Sequence, residues 1–349
     1  MSLTDYRTLG RSGLRVSPIA LGTMTFGDPS WGADEQTSLD IIDRYVGQGG
    51  NFLDTANRYM DGRSEQVIGS YLRKNPEQRD RLVIATKFAL TMDGTDPNNG
   101  GTSRKAIRKH VDESLERLGT DYIDLYWQHN WDRHTPLEET LSTLDDLVRA
   151  GKIRYVGLSD TPAWAVARMA TLAEWRGWAR PIALQLEYSL LERTSEGELF
   201  GAARELDLGI LPWSPLASGV LTGKYTRDNQ SPEGTGRGMF VGQHLNERTF
   251  DLLDVLARIA GELDTTVAAV SLAWARQQSQ VTSTVIGART VAQLDANLAS
   301  LDVTLTPAHL AELDGLTAPA LNFPLPFLKA LGVPAQQGET VINGMKAGD

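Results

Sequence analysis

Ile123-Asp124-Leu125-Tyr126, then Leu137, Leu141, Leu144 and Leu147, then Ala150-Gly151-Lys152 and Ile153-Arg154-Tyr155-Val156 form the stretch whose reading decides the fold. The first and last runs are short, largely apolar and β-prone. The leucines between them fall three and four apart, which places them on one face of a helix. The glycine turn is tight and returns the chain at once to a second strand. The unit is therefore strand, helix, strand, with the two strands parallel.

Outward from this unit the same rhythm recurs. Strand-like runs lie upstream at Ile19-Ala20-Leu21, Asn51-Phe52-Leu53-Asp54 and Leu82-Val83-Ile84-Ala85, and downstream at Ile182-Ala183-Leu184-Gln185, Ile210-Leu211-Pro212-Trp213 and Ser283-Thr284-Val285-Ile286. Helical spacing between them is plain in Ile107, Val111, Leu115 and Leu118. Eight near-continuous apolar strands alternating with helices predict an α/β fold with an all-parallel sheet, closed into a (β/α)8 TIM barrel. A doubly wound sheet would carry Gly-x-Gly-x-x-Gly directly after a strand. Here the glycines Gly234, Gly236 and Gly238 sit in a polar stretch with no strand before them and read as a flexible loop.

The 349 residues accommodate two average domains, but the pattern selects a single barrel domain over 1–349, with the tail 318–349 lacking periodicity. Hydrophobic residues at 41% and charged residues at 22% describe a chain able to bury a large core, not a disordered one. A net charge of −10 without a basic patch argues against nucleic acid and anionic membranes as partners. The absence of cysteine excludes disulfides, zinc-thiolate sites and thiol nucleophiles, and no metal site is expected. The N-terminus carries no apolar signal core and no 18-residue apolar run occurs, so a cytoplasmic protein is expected.

Loop lengths orient the barrel. Helix-to-strand turns are short, as at Gly47-Gln48-Gly49-Gly50, Gly119-Thr120-Asp121 and Asp207-Leu208-Gly209, whereas strand-to-helix loops run long at Thr23 to Ala33, Ala89 to Thr102 and Ser214 to Asn246. Function in such barrels gathers at the C-terminal strand ends, where this chain places its insertions. Tyr6-Arg7-Thr8-Leu9 and Gly13-Leu14-Arg15-Val16 read as a hairpin plugging the opposite end.

Four ionisable residues converge on that functional mouth: Asp54 and Tyr59 after the second strand, Lys87 after the third and His129 after the fourth. Each has an ordinary explanation alone: a turn acid, a packed aromatic, a solvated strand end, a core histidine. Together, on one face, they form a candidate site.

The phrases Leu53-Asp54-Thr55-Ala56-Asn57-Arg58-Tyr59, Ala85-Thr86-Lys87-Phe88 and Asp124-Leu125-Tyr126-Trp127-Gln128-His129 resemble the aldo-keto reductases, and the likeness runs from about Tyr6 to Leu301. The resemblance implies that Asp54, Tyr59, Lys87 and His129 are the family's catalytic tetrad. In that chemistry hydride delivered to a carbonyl carbon leaves negative charge on oxygen, which needs a donor and finally a proton. Tyr59 is then the acid, its phenol brought down by the Lys87 ammonium, with Asp54 pairing Lys87 and His129 orienting the carbonyl.

The resemblance also implies a nicotinamide cofactor across the mouth, in contact with Gly22, Thr23 and Met24 at the first strand end. Ser159, Asp160 and Gln185 match the carboxamide-binding positions. Position 160 is commonly Asn in the family, and an Asp there accepts but does not donate. Trp213 stands where an aromatic faces the nicotinamide, with a core tryptophan as the alternative reading. Ser214, Pro215, Leu216, Ser218 and Gly219, with Lys224, resemble the loop that covers the pyrophosphate. Ile286, Gly287 and Arg289 open a helix after the eighth strand, the usual phosphate position of this fold. Arg289 suits a 2′-phosphate, and with the resemblance favours NADPH over NADH, although a solvated helix-start cation is the plain reading. Gln293 and Asn297, four apart, share a helix face and suit the adenine.

Asp96-Pro97-Asn98-Asn99-Gly100-Gly101, the run Tyr155 to Trp164, and Gln185-Leu186-Glu187-Tyr188-Ser189-Leu190 resemble the aryl-alcohol dehydrogenase branch. Met24, Trp31, Tyr59, Phe88, Trp131 and Trp213 are expected to form an aromatic wall for aldehydes and ketones, with Trp31, Phe88 and Trp131 in the substrate pocket. Sugars stack on such walls too, so keto-sugar reduction stays open. A non-catalytic NADPH-binding regulatory subunit, similar to the potassium-channel β-subunits, is the alternative from another class.

Overall fold

The computed structural model describes residues 1–232, 241–342, 344 and 346; the glycine cluster Gly234, Gly236 and Gly238 lies outside the described residues. A two-stranded antiparallel hairpin, β1 (Arg7–Thr8) with β2 (Arg15–Val16), precedes the main sheet. Then come β3 (Ile19–Gly22), β4 (Phe52–Asp54), β5 (Val83–Phe88), β6 (Ile123–Gln128), β7 (Ile153–Ser159), β8 (Pro181–Glu187), β9 (Gly209–Trp213) and β10 (Thr284–Gly287). These eight pair in parallel in the order β10-β3-β4-β5-β6-β7-β8-β9. A parallel bridge from Ile210 to Val281, with the Thr282 N–H donating to the Ile210 carbonyl at 2.9 Å, draws the two edges together. The result is the eight-stranded α/β barrel that the strand count predicts.

Helices clothe the outside: α1 (Glu35–Gly47), α2 (Arg63–Lys74), α3 (Arg104–Leu118), α4 (Leu137–Arg149), α5 (Ala163–Arg176), α6 (Glu198–Glu205), α7 (Glu247–Glu262), α8 (Val267–Gln277), α9 (Val291–Leu298) and α10 (Pro307–Thr317). Polar caps fix several starts. The Asp34 and Ser103 side chains accept from the Thr37 and Ala106 N–H groups, satisfying donors that the first turn leaves over. Gly119 ends α3 at φ 64°, a left-handed geometry that glycine adopts without a Cβ penalty.

The period of two along each strand sorts side chains into two cores. Ala20, Phe52, Val83, Ala85, Leu125, Trp127, Ala183, Leu211 and Val285 fill the barrel interior, closed from below by Leu9 and Val16 of the hairpin. Leu21, Leu53, Ile84, Tyr126, Val156 and Ile286 face the helices of one side, and Leu158, Leu184 and Ile210 those of the other. The interior is filled to the point that a Cβ on Gly157 would fall 2.2 Å from the Trp127 ring. Glycine at 157 is what admits that indole.

Two residues beyond the last inward position of six strands, the same alternation points a side chain into the mouth. Phe52 is followed by Asp54, Ala85 by Lys87, Trp127 by His129, Gly157 by Ser159, Ala183 by Gln185 and Leu211 by Trp213. The fold thus aims six chemistry-bearing side chains at one place. The tail after α10 forms helical turns over Leu325–Phe327, Leu328–Gly332 and Val333–Gln337, with Leu321 and Leu325 set against Gly197 between β8 and α6. Among the described residues no helix is long and apolar enough to cross a membrane.

Candidate active site

Lys87 is fully buried, and its ammonium has three protons to place. They go to Asp54 Oδ2 at 2.5 Å, the Thr55 carbonyl at 2.9 Å and Tyr59 Oη at 3.1 Å. A buried cation with every proton accepted and a carboxylate beside it is stable as a charge. Burial alone would lower the Lys87 pKa, but Asp54 and Tyr59 more than offset it and the net direction is upward. The Asp54 carboxylate, 2% exposed, is held from its other side by Gln185 Nε2, which donates to Oδ1 at 2.9 Å.

Tyr59 follows β4 at the head of a tight turn in which Met60 and Asp61 take positive φ of 48° and 53°. That turn carries the phenol back over Lys87. Burial pushes the Tyr59 pKa up; the Lys87 charge pulls it down, and Asp54 and Asp160 push it up again. The net direction is upward. Charge reasoning from the sequence anticipated a lowered phenol, and burial outweighs that pull. The His129 ring meets Tyr59 edge-on, with centroids 5.7 Å apart. Burial first, and the Lys87 charge second, lower its pKa to about 3, so the imidazole is neutral at ordinary pH. Its Nδ1 is buried without a partner among the described residues.

Hydroxyls behind the tetrad brace it. Ser64, at the start of α2, donates to the Thr23 carbonyl and bonds the Thr23 and Thr55 hydroxyls at 2.7 and 2.8 Å, tying the ends of β3 and β4 together. The Thr86 hydroxyl donates to buried Glu65, which also accepts from Arg117 Nε at 2.6 Å. Thr23 therefore reaches the mouth as a strand-end brace, its hydroxyl occupied. Gly22 is pressed against β10, where a Cβ would meet Val285 at 2.8 Å, and Met24 is 40% exposed beyond it.

Ser159, Asp160 and Trp213 meet on the far side. Ser159 is buried; Asp160 stands at φ 41°, and its Oδ1 accepts from the Trp213 indole N–H at 3.0 Å. The walls of the mouth desolvate this carboxyl and raise its pKa, against the opposing pull of the Trp213 hydrogen bond and the Lys87 charge. Gln185, expected to bind a carboxamide, has one of its two side-chain N–H donors committed to Asp54. The Trp131 N–H donates to the Asp160 carbonyl at 3.2 Å, and Trp31 is half-buried in the first long loop.

The loop after β9 turns through left-handed Ser214, Ala217, Ser218 and Gly219, with the Ser218 N–H donating to Ser214 Oγ at 3.2 Å. Pro215 is buried and Leu216 half-buried beneath it. Lys224 comes back over Gly219, where a Cβ would lie 3.1 Å from Nζ. At the end of β10, Gly287 stands in open space and Ile286 points into the core. Arg289 is half-exposed, and its backbone N–H donates to Gln293 Oε1 at 2.9 Å. Asn297 is buried, and its Nδ2 donates to the Gly287 carbonyl at 3.1 Å, so it shapes the turn from within.

Phe88 is placed otherwise than the sequence reading had it. It is fully buried on the outer face of β5, its ring 4.8 Å from that of Tyr126 in the core between barrel and helices. Lys87 points inward, so the next residue must point outward. Phe88 is core and not pocket wall. Sequence reasoning missed two contacts, the Gln185–Asp54 bond and Trp164 packed edge-on against Trp131 with ring centroids 5.3 Å apart. The inward register of Gln185 was a usable signal for the first.

With this geometry in view, the chain matches the model of the Aldo/keto reductase family over residues 18–318. It is 37% identical over 321 residues to YrpG, an uncharacterized oxidoreductase of Bacillus subtilis, covering 89% of this chain and 95% of that one. Norsolorinic acid reductase stcV of Emericella nidulans is 35% identical, with 91% and 82% covered. The putative aryl-alcohol dehydrogenase AAD14 of Saccharomyces cerevisiae is 31% identical, with 90% and 86% covered.

Proposed function

The chain belongs to the aldo/keto reductase family, and from that premise we propose that it is an NADPH-dependent oxidoreductase that reduces small-molecule aldehydes or ketones to alcohols, with Tyr59 as general acid. One observation carries the reading: a buried Lys87 ammonium bonded at once to Asp54 and to the Tyr59 hydroxyl. A carbonyl oxygen entering the pit would accept from Tyr59 Oη–H and from neutral His129. As charge builds on that oxygen, Tyr59 gives up its proton. The phenolate left behind lies beside Lys87, and Asp54 keeps that lysine charged throughout. The raised Tyr59 pKa in the resting protein keeps the phenol protonated and ready.

When bound, a nicotinamide cofactor would supply the hydride. The residues present fit such a group. Asp160 has one carboxylate oxygen free of the Trp213 bond, able to accept from an amide N–H2, and Ser159 offers a hydroxyl. Trp213 presents a half-exposed indole. Gly287 and the first turn of α9 offer backbone N–H groups to a phosphate, and the Arg289 guanidinium suits the 2′-phosphate that marks NADPH. Lys224 would lie over the pyrophosphate. The name of one relative, a putative aryl-alcohol dehydrogenase, supports aromatic carbonyls as the substrate class.

The test is a fluorescence titration with NADPH and NADH, followed by a panel of aromatic aldehydes, simple ketones and keto-sugars read at the nicotinamide absorbance. Tight NADPH binding with turnover of aromatic carbonyls supports the proposal. Turnover of keto-sugars alone would redirect the substrate class. Binding without turnover would favour a regulatory subunit, and no binding would overturn the reading.

A further inference from the structure

A single exposed apolar side chain needs no reason, but two aromatic rings packed together beside a site form a contiguous surface that a ligand can use. Trp164 is 59% exposed, on the first turn of the 14-residue helix α5, directly after the β7 loop that carries Asp160. Its neighbour in space is Trp131, at an interplanar angle of 78°, from the loop after β6. Trp131 is half-buried against the core and its backbone N–H donates to the Asp160 carbonyl, while the Asp160 carboxylate accepts from the Trp213 indole N–H. Asp160 thus holds both Trp131 and Trp213, and Trp131 in turn supports Trp164. Tyr59 meets the His129 ring edge-on, and two residues further along the same loop Trp131 meets Trp164 edge-on.

We propose that Trp164, braced by Trp131, is an outer stacking platform that selects carbonyl substrates in which the reacting group is attached to a fused, multi-ring aromatic system. The pit over Tyr59 holds the carbonyl, and rings beyond the first extend along the wall to the exposed indole. Flat partners gain offset-stacked or edge-on contact with an indole already held in place, so little ordering entropy is lost. The inference rests on the proposed reductase reading but concerns a residue that takes no part in the proton relay. Trp175, at the last turn of the same helix and 79% exposed, provides an internal control, because it lies at the opposite end of α5.

The experiment compares kcat/KM for anthracene-9-carbaldehyde and for benzaldehyde in the wild type, Trp164→Ala, Trp164→Phe and Trp175→Ala. The three-ring to one-ring ratio is expected to fall about tenfold in Trp164→Ala, mostly through KM, and to stay near wild type in the other two. Should Trp164→Ala fold poorly by thermal melt, Trp164→Gln supplies the same comparison. An unchanged ratio, or an equal fall in Trp175→Ala, overturns the platform. If the wild type reduces neither aldehyde, the reductase reading fails by itself. Calorimetric titration with anthracene-9-carbaldehyde then decides the platform: weaker binding in Trp164→Ala alone supports it, and equal affinities in all variants overturn it.

Discussion

Gln185 Nε2 donates to Asp54 Oδ1 at 2.9 Å, so the carboxylate on β4 that pairs with Lys87 is gripped from both sides, by Lys87 on β5 and by Gln185 on β8. The bond commits one of the two side-chain N–H donors of Gln185 to Asp54 and leaves the other N–H and the carbonyl oxygen for other partners. It makes Gln185 a positioning residue for Asp54.

Gln185→Leu therefore leaves a buried carboxylate oxygen without its partner and should lower unfolding stability by about 1–3 kcal/mol. Gln185→Glu sets a second carboxylate beside the first and should cost more. Urea denaturation at neutral pH checks both. Equal stability of all three proteins would remove Gln185 from this role.

Phe88→Ala is expected to destabilise by about 3–5 kcal/mol, as for a large ring removed from a packed core, while any folded fraction keeps its order of preference among substrates. The check is a melting curve beside a substrate panel. A stable variant with altered substrate preference would return Phe88 to the pocket.

The contrast between Lys87 and Phe88 shows what was legible in the sequence. Strand identity could be read from apolar runs, and the position of Asp54, Lys87 and His129 at or just past strand ends led to the expectation that they converge on one mouth. Phe88 was misplaced because adjacency along the chain was followed where facing alternates. The Tyr59 pKa went the other way because the pull of Lys87 is visible in residue types, whereas the desolvation of the phenol depends on how deeply the turn at Met60 and Asp61 folds it in. Side-chain pairings such as Gln185 with Asp54, 131 residues apart, depend on rotamers that no local pattern encodes.

His129 carries a pH prediction. Its folded pKa is lowered to about 3, while the unfolded chain titrates near 6.5. Between those values the unfolded state binds a proton that the folded state refuses, so stability falls as pH drops from about 6.5 toward 3. His110, also buried and lowered, adds to the same slope. His129→Gln should flatten the dependence in that window, measured by urea midpoints from pH 7 to pH 4. An unchanged slope would mean that His129 is not buried as a neutral ring.

Arg289→Ala should weaken NADPH far more than NADH, because only the former carries the 2′-phosphate that a guanidinium can grip with two hydrogen bonds. Titration with both nucleotides reads this directly. Equal losses would take Arg289 away from that phosphate.

The central claim is that Tyr59, on Lys87, hands the proton to the carbonyl oxygen. Its most direct test is Tyr59→Phe, with NADPH affinity measured by fluorescence and carbonyl reduction by the loss of nicotinamide absorbance. The account predicts near-normal cofactor binding with kcat reduced by about a hundredfold or more, the scale of a missing general acid. Near-normal kcat in a folded, cofactor-binding variant would contradict it.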